Sequence, residues 1–331
     1  MNMVDLYGVG NAVVDADVEV GMEFLSDEDL AVGQMTLIDS PRMADLVGKL
    51  EHLPMRRASG GSAANTIFAA QALGLSTTYT CKLADDVNGK YFLADMQAAG
   101  VDNSEISEAA TDQRRSGQCL VMITPDAQRT MCTDLGVSNE MTRNLVNTDA
   151  LASARCLYIE GYLSSSEYNS QTAIYCHELA RTTDTHVALT LSDVSMVTFC
   201  RPTLEAMLGE GVDTLFCNAD EAMAWAGTDS LGVAIKELRD IAKELYVTLG
   251  ANGAQVVNAE GSWQIGTAKV TPIDTNGAGD IFAGACLAAR LQGAAAADAA
   301  KFANSAAAKV ITQFGARLPS IADYKNLKSG G

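Results

Sequence analysis

The run Asp274-Thr275-Asn276-Gly277-Ala278-Gly279-Asp280, with apolar Ile281-Phe282-Ala283-Gly284-Ala285 directly behind it, carries the strongest chemical signal in the chain. Glycines at 277 and 279 permit a turn that aims successive backbone N–H groups inward, and a helix starting there adds its partial positive charge. Such a turn holds an anion. Asp280, at the same helix start, is placed to accept a proton from a substrate hydroxyl while Gly277, Ala278 and Gly279 stabilise charge on a transferred phosphoryl group. On spacing alone, a plain Gly-rich turn with Asp280 as a helix cap fits as well.

Three further clusters have polar groups where ligands bind. Gly60-Gly61-Ser62-Ala63-Ala64-Asn65 opens a predicted helix, its glycines let a ligand approach the backbone, and Asn65 offers both a donor and an acceptor. Asn218 and Glu221 follow the apolar strand Thr214–Cys217, at the carboxyl end where open α/β sheets bind ligands. An amide and a carboxylate there suit hydrated Mg2+, which keeps most of its waters. Thr248-Leu249-Gly250 ends another strand in the same way. Other chemistries lack their residues. Gly8-Val9-Gly10 is followed by Val13 where a dinucleotide fingerprint needs glycine, and no Gly-x-x-x-x-Gly-Lys-Ser/Thr is present. His52, His177 and His186 are far apart, Ser164-Ser165-Ser166 lacks a Gly-x-Ser-x-Gly setting, and no two of the eight cysteines are spaced Cys-x-x-Cys. The cysteines read as reduced core residues.

These clusters must be held by a parallel sheet. Apolar strands are predicted at Val4–Val9, Thr77–Leu83, Cys156–Glu160, Val187–Leu191, Thr214–Cys217 and Tyr246–Leu249. Helices are predicted between and after them at Ser62–Leu73, Gly89–Ala99, Ser170–Arg181, Leu231–Glu244, Asp280–Leu291 and Asp298–Thr312. Short apolar strands alternating with helices imply an α/β sheet covered on both faces. Residues 13–38 and 112–135 break the rhythm and read as strands and a hairpin without an intervening helix. The expectation is therefore a body of 1–12, 39–111 and 136–331 with a small β lid inserted at 13–38 and 112–135.

The 331 residues suffice for one large α/β domain with such an accessory element, and 48% hydrophobic against 19% charged residues excludes disorder. A formal charge of −18 makes nucleic acid and anionic membrane surfaces poor partners. With neither a leader nor a span-length apolar stretch read in the sequence, the expected location is the cytoplasm. The expected state is monomer or homodimer.

Taken together, the motifs resemble those of the ribokinase/PfkB family of carbohydrate and nucleoside kinases, over nearly the whole chain. The run 274–280 is similar to the family's Asp-Thr-x-Gly-Ala-Gly-Asp signature, Gly60-Gly61 with Asn65 to its N-terminal signature, and Asn218 with Glu221 to its Asn-x-x-Glu. The resemblance implies a ribokinase-like three-layer sandwich with a mainly parallel central sheet and a β lid. It also implies ATP as phosphate donor, Mg2+ held through water by Asn218 and Glu221, and Asp280 as the base. Thr248, Gly250 and Asn304 fall with the nucleotide, and Asp274, with the backbone near Val310 and Gly315, is a candidate monovalent-cation (K+) site. Asn11 and Asp15 match positions that grasp vicinal hydroxyls. Ser62, where ribokinases place a lysine, points toward the adenosine-kinase branch, as does Arg129, which resembles an arginine that reaches the transferred phosphate. Tyr162 and Met131 are candidates for a base-pocket wall, although Leu191–Ser195 lacks the branch's aromatic residue. The implied acceptor is the 5′-hydroxyl of adenosine or a related purine nucleoside. A sugar kinase acting on ribose, fructose or a keto-sugar, and a catalytically silent binder of such molecules, stay open as alternatives.

Overall fold

The computed structural model describes residues 4–102, 114–126 and 128–329. Its strands are β1 (Leu6–Val9), β2 (Val13–Glu19), β3 (Met35–Leu37), β4 (Arg56–Gly60), β5 (Thr77–Thr80), β6 (Gly117–Ile123), β7 (Arg129–Asp134), β8 (Cys156–Glu160), β9 (His186–Thr190), β10 (Val212–Asn218), β11 (Ala242–Thr248), β12 (Ala254–Asn258) and β13 (Gly261–Ile265). Eight form one sheet in the order β13-β12-β11-β10-β9-β8-β1-β5. From β11 to β5 every neighbour is parallel, and only the β11-β12-β13 edge is antiparallel.

Alternate residues of a strand face opposite sides of a sheet. Leu6, Tyr158, Ala188, Phe216 and Tyr246 pack on one side with the helices Ser62–Ala72, Ala278–Leu291 and Ala296–Val310. Tyr7, Leu157, Ile159, Leu215 and Val247 pack on the other with Glu167–Thr182, Arg201–Leu208 and Leu231–Leu238. Both faces are buried, which explains why these strands read as unbroken apolar runs. The result is the anticipated three-layer α/β sandwich. Phe282 anchors the helix Ala278–Leu291 by edge contacts with Phe216 and Tyr246, at 6.4 and 6.3 Å between ring centroids. Burying a ring of that size contributes roughly 1.5–3 kcal/mol. Gly284 lets the same helix approach Ser62–Ala72, since a Cβ there would lie 2.5 Å from the Thr66 carbonyl oxygen. That close approach brings Asn65 beside Asp280.

The second sheet runs β3-β7-β6-β2-β4. Ala16, Val18, Leu120, Met122 and Cys132 on one face are covered by Met43, Leu46 and Leu50 of the helix Ser40–Leu50. The opposite face turns Asp15, Cys119, Val121 and Met131 toward the main body. The lid is larger than the sequence suggests. Residues 13–38 contain a short helix, Met22–Asp27, that buries Leu25 in the lid core. The lid also recruits β4 and Ser40–Leu50 from the stretch 39–111 assigned to the body. β4 reads Arg-Arg-Ala-Ser-Gly, a polar edge strand with no apolar alternation to announce it. The expected boundary at 111/112 lies outside the described residues.

One predicted helix is corrected. Leu231–Glu244 ends at Leu238, and β11 begins at Ala242 and not at Tyr246. Lys243 and Glu244 mimic a polar helix face, but Glu244 is a strand residue that accepts from Arg290 Nε at 2.9 Å and from the Tyr246 hydroxyl at 2.7 Å. All eight cysteines are free thiols. Among the described residues, no helix is long and apolar enough to cross a membrane.

Candidate active site

A cleft of about 1160 Å3 lies between the lid and the carboxyl ends of the parallel strands. It exceeds the roughly 300–1,000 Å3 of a pocket for one small molecule, leaving room for two ligands. Along it lie Asn11 after β1, Glu160 at the end of β8, Asn218 at the end of β10, Thr248 at the end of β11 with Gly250 beyond it, and the turn 277–280. All come from the same edge of the sheet, where parallel strands collectively deliver their loops.

Gly277 has φ +74°, and a Cβ on it would meet Ala316 at 2.4–2.6 Å, so this turn requires glycine. The helix begins at Ala278, leaving the N–H groups of its first turn directed at the cleft. Asp280 sits in that turn. Its Oδ1 accepts from Ser62 Oγ at 2.7 Å and its Oδ2 from Asn65 Nδ2 at 2.9 Å. Burial pushes the carboxyl up to about 6, opposed by these hydrogen bonds and by the positive Arg317. The group is thus mainly ionised at neutral pH and close enough to neutrality to take a proton. A helix start with inward N–H groups and a buried carboxyl raised toward neutrality thus occupy consecutive residues.

The end of the cleft around Asn11 and Asp15 is built from distant segments. Glu160 accepts from Asn11 N and Ala63 N, both at 2.7 Å, tying the β1 exit to the helix carrying Asn65. Burial raises this carboxyl to about 7. Asn11 Oδ1 accepts from Asn169 Nδ2 at 2.9 Å, and the Asn11 side chain also hydrogen-bonds the Glu160 carboxylate. Asp15 hangs from β2, its pKa raised by enclosure and by Asp17 and opposed by Arg317 and Arg129. Gly60 does not line the cleft. It makes space behind Asp15, whose carboxylate would lie 2.4 Å from a Cβ on Gly60. Gly61, Asn65, Met131 and Tyr162 do line the cleft.

The opposite end is local. Asn218 Oδ1 accepts from Glu221 N at 2.8 Å and Glu221 Oε2 from Asn218 N at 3.2 Å, a reciprocal cap on the helix Ala219–Ala226. Burial lifts Glu221 to about 7, with Asp193 and Asp220 adding negative charge. The Glu221 carboxylate is buried, and no cationic side chain pairs with it among the described residues. Asn218 at the end of β10 and Glu221 in the first turn of the following helix are an amide and a carboxylate, groups whose chemistry suits a hydrated divalent cation.

Three expected roles are not supported by the placement. Arg129 does not line the cleft: its Nη2 lies 2.7 Å from Asp274 Oδ2, and its guanidinium faces the Phe314 ring at 5.8 Å. The ion pair lacks hydrogen-bond alignment, so both terminal nitrogens of Arg129 are buried without an aligned acceptor. Asp274 also accepts from Asn276 N at 3.0 Å and Gly315 N at 2.7 Å. Its charge is met by arginine, where the sequence reading placed K+. Asn304 is likewise outside the cleft, its amide donating to the carbonyls of Ile265 and Gly266 at 3.0 and 3.2 Å. It pins the turn after β13.

Glu160, Asp193 and Arg317 escape the sequence reading. A charged residue ending the otherwise apolar run Cys156–Glu160 is a signal for the first. For Arg317, after the last long helix, the sequence offers none.

Against known proteins, the pattern described as pfkB family carbohydrate kinase matches residues 31–323. An adenosine kinase of Schizophyllum commune is 25% identical over 341 residues, covering 95% of this chain and 97% of the relative. A crystal structure titled as a probable sugar kinase from Rhizobium etli CFN 42 superposes with TM-score 0.90 at 30% identity, covering 100% of this chain and 99% of the other. The adenosine kinase structure from Sinorhizobium meliloti superposes with TM-score 0.89 at 30% identity, covering 99% and 100%.

Proposed function

The chain belongs to the pfkB family of carbohydrate kinases, and from that premise we propose that it transfers the γ-phosphoryl group of ATP to the 5′-hydroxyl of a purine nucleoside such as adenosine. The observation that carries the acceptor assignment is the underside of the lid. Met35, Leu37, Val121 and Met131 face the cleft as an apolar roof, with Met35 and Leu37 still exposed. A free sugar has no apolar face large enough to cover that roof, whereas a purine does. The adenosine kinase relative and the Sinorhizobium structure support the same choice.

In this reading the ribose lies over Asn11 and Asp15, with Asp15 accepting from both vicinal hydroxyls. That pose puts the 5′-oxygen toward Asp280, which takes its proton as the oxygen attacks phosphorus. The N–H groups of the turn at Gly277–Gly279 meet the charge on the phosphoryl oxygens. Thr248 and Gly250 flank the nucleotide. Asn218 and Glu221 would hold a hydrated Mg2+, which would supply neutralisation of phosphate charge. The Asp274–Arg129 pair serves the turn without an added K+.

A second reading, a free ribose or ketose acceptor, draws on the sugar-kinase structure from Rhizobium etli and on the polar Asn11 and Asp15 floor. The test is ADP release from ATP and Mg2+ with adenosine, inosine, guanosine, ribose and fructose, scored by kcat/KM. The expected outcome is highest kcat/KM for a purine nucleoside. Robust turnover of ribose or fructose with none of any nucleoside overturns the nucleoside assignment. Tight nucleoside binding with no ADP release from any acceptor overturns catalysis itself.

A further inference from the structure

Arg317 does not itself line the cleft, yet its positive charge is felt by Asp280. Its side chain is about one-tenth exposed. The guanidinium covers the Phe68 ring at 4.4 Å, Nε donates to Asn65 Oδ1 at 2.7 Å, and Nη1 donates to Ser59 Oγ at 2.9 Å and Asp95 Oδ2 at 3.0 Å. Three elements meet on this one group: β4 of the lid through Ser59, the helix Ser62–Ala72 through Asn65, and the helix Val87–Ala99 through Asp95.

A guanidinium has donors and no acceptor. The Asn65 oxygen must therefore face Arg317, and the Asn65 nitrogen is left to face Asp280, to which it donates at 2.9 Å. Without Arg317 the amide loses the donor that fixes its oxygen and can turn to accept from a protonated Asp280, which favours the neutral acid. The segment that delivers Arg317 also supports the anion hole, with Ala316 packed on Gly277 and Gly315 N bonded to Asp274. We propose that Arg317 is a positioning residue for phosphoryl transfer, fixing the Asn65 amide so that Asp280 is held ionised and aimed at the acceptor hydroxyl. The proposal rests on the kinase chemistry and is independent of which acceptor is used.

The groups that face Asp280 make this charge consequential. Ser62 and Asn65 donate to its carboxylate, and Thr66 donates to its backbone carbonyl. Around it stand Glu160 and Tyr158 of β8, Tyr162, Asp15 of β2 and Tyr324 near the C-terminus. Two of these are carboxylates, and Arg317 is the cation whose charge opposes burial at Asp280.

The experiment is the pH profile of kcat for Arg317→Met and Arg317→Lys, at saturating ATP and with whichever acceptor the parent turns over, so a wrong acceptor assignment leaves the result intact. Arg317→Met keeps the stem over Phe68 and removes every donor. Its kcat is expected to fall by about tenfold or more near neutral pH, the scale of a lost charge-assisted hydrogen bond. Its acidic limb should move to higher pH, and the deficit should shrink as alkaline pH ionises the base, with the KM for ATP unchanged. Arg317→Lys retains charge but cannot hold three partners in a planar fork, and should fall between the two. On an Asn65→Ala background, Arg317→Met should cost little more. A kcat profile coincident with the parent overturns the proposal, as does a full additional loss on the Asn65→Ala background. If Arg317→Met does not fold, a parental profile in Arg317→Lys overturns it equally.

Discussion

The two ends of the cleft are made by opposite means. At the end proposed for the nucleotide, Asn218 and Glu221 are three residues apart and organise each other through a helix cap. At the end proposed for the acceptor, Glu160 reaches Asn11 across 149 positions, Asn65 reaches Asp280 across 215, and Arg317 reaches Asn65 across 252. A local device depends on one helix start, whereas a distributed one depends on the whole packing of lid, sheet and C-terminal segment. Substitutions at the distributed end should therefore disturb catalysis strongly, and those at the local end should change mainly how the metal and nucleotide are used.

The largest effect expected is at the junction of the two ends. Asp280→Asn keeps size and hydrogen bonding but removes the proton acceptor, so kcat should fall by about 10²–10⁴ with ATP affinity nearly unchanged. Parental turnover in that variant would remove Asp280 from the mechanism. Next comes the acceptor grip. Asp15→Ala should lower kcat/KM on the order of 10²-fold, through hydrogen bonds to two hydroxyls each worth roughly 1.5–3 kcal/mol. Removing the 2′- or 3′-hydroxyl from the nucleoside should reproduce part of that loss in the parent and add little in the variant. Fully additive losses would separate Asp15 from those hydroxyls. The smallest effect is at the local end. Glu221→Gln preserves the cap but removes charge, and should shift the Mg2+ titration of activity upward by about tenfold or less while leaving acceptor KM near the parental value. Coincident Mg2+ titrations would reduce Glu221 to a helix cap.

The same contrast decides what the sequence discloses. The anion turn, Asn218 with Glu221, and Gly60-Gly61 with Asn65 are contiguous motifs at strand or helix boundaries, and the cleft gathers all but Gly60, which lies directly behind it. The strands of the main sheet are legible because both of their faces are buried. Arg129 illustrates the limit: its place on the lid is readable from the hairpin, but its partner Asp274 is 145 positions away, and only the fold brings the pair to 2.7 Å. β4 is hidden because an exposed edge strand carries no apolar period, and the start of β11 because Lys243 and Glu244 serve a strand end with helix-like chemistry.

The helix that begins at the Asn218–Glu221 cap ends near Trp225, whose indole lies beneath the Arg201 guanidinium at 3.8 Å. The sequence has one other tryptophan, Trp263, on the β13 edge beyond the nucleotide strands, and the lid has none. The molecule is thus optically lopsided. Indole emission belongs to the end proposed for metal and nucleotide, where the Arg201 cation lies over the ring. The roof above the acceptor is dark, and its closure becomes visible only when a fluorophore is placed there. An enzyme that binds two ligands in one cleft carries a native reporter for just one of them.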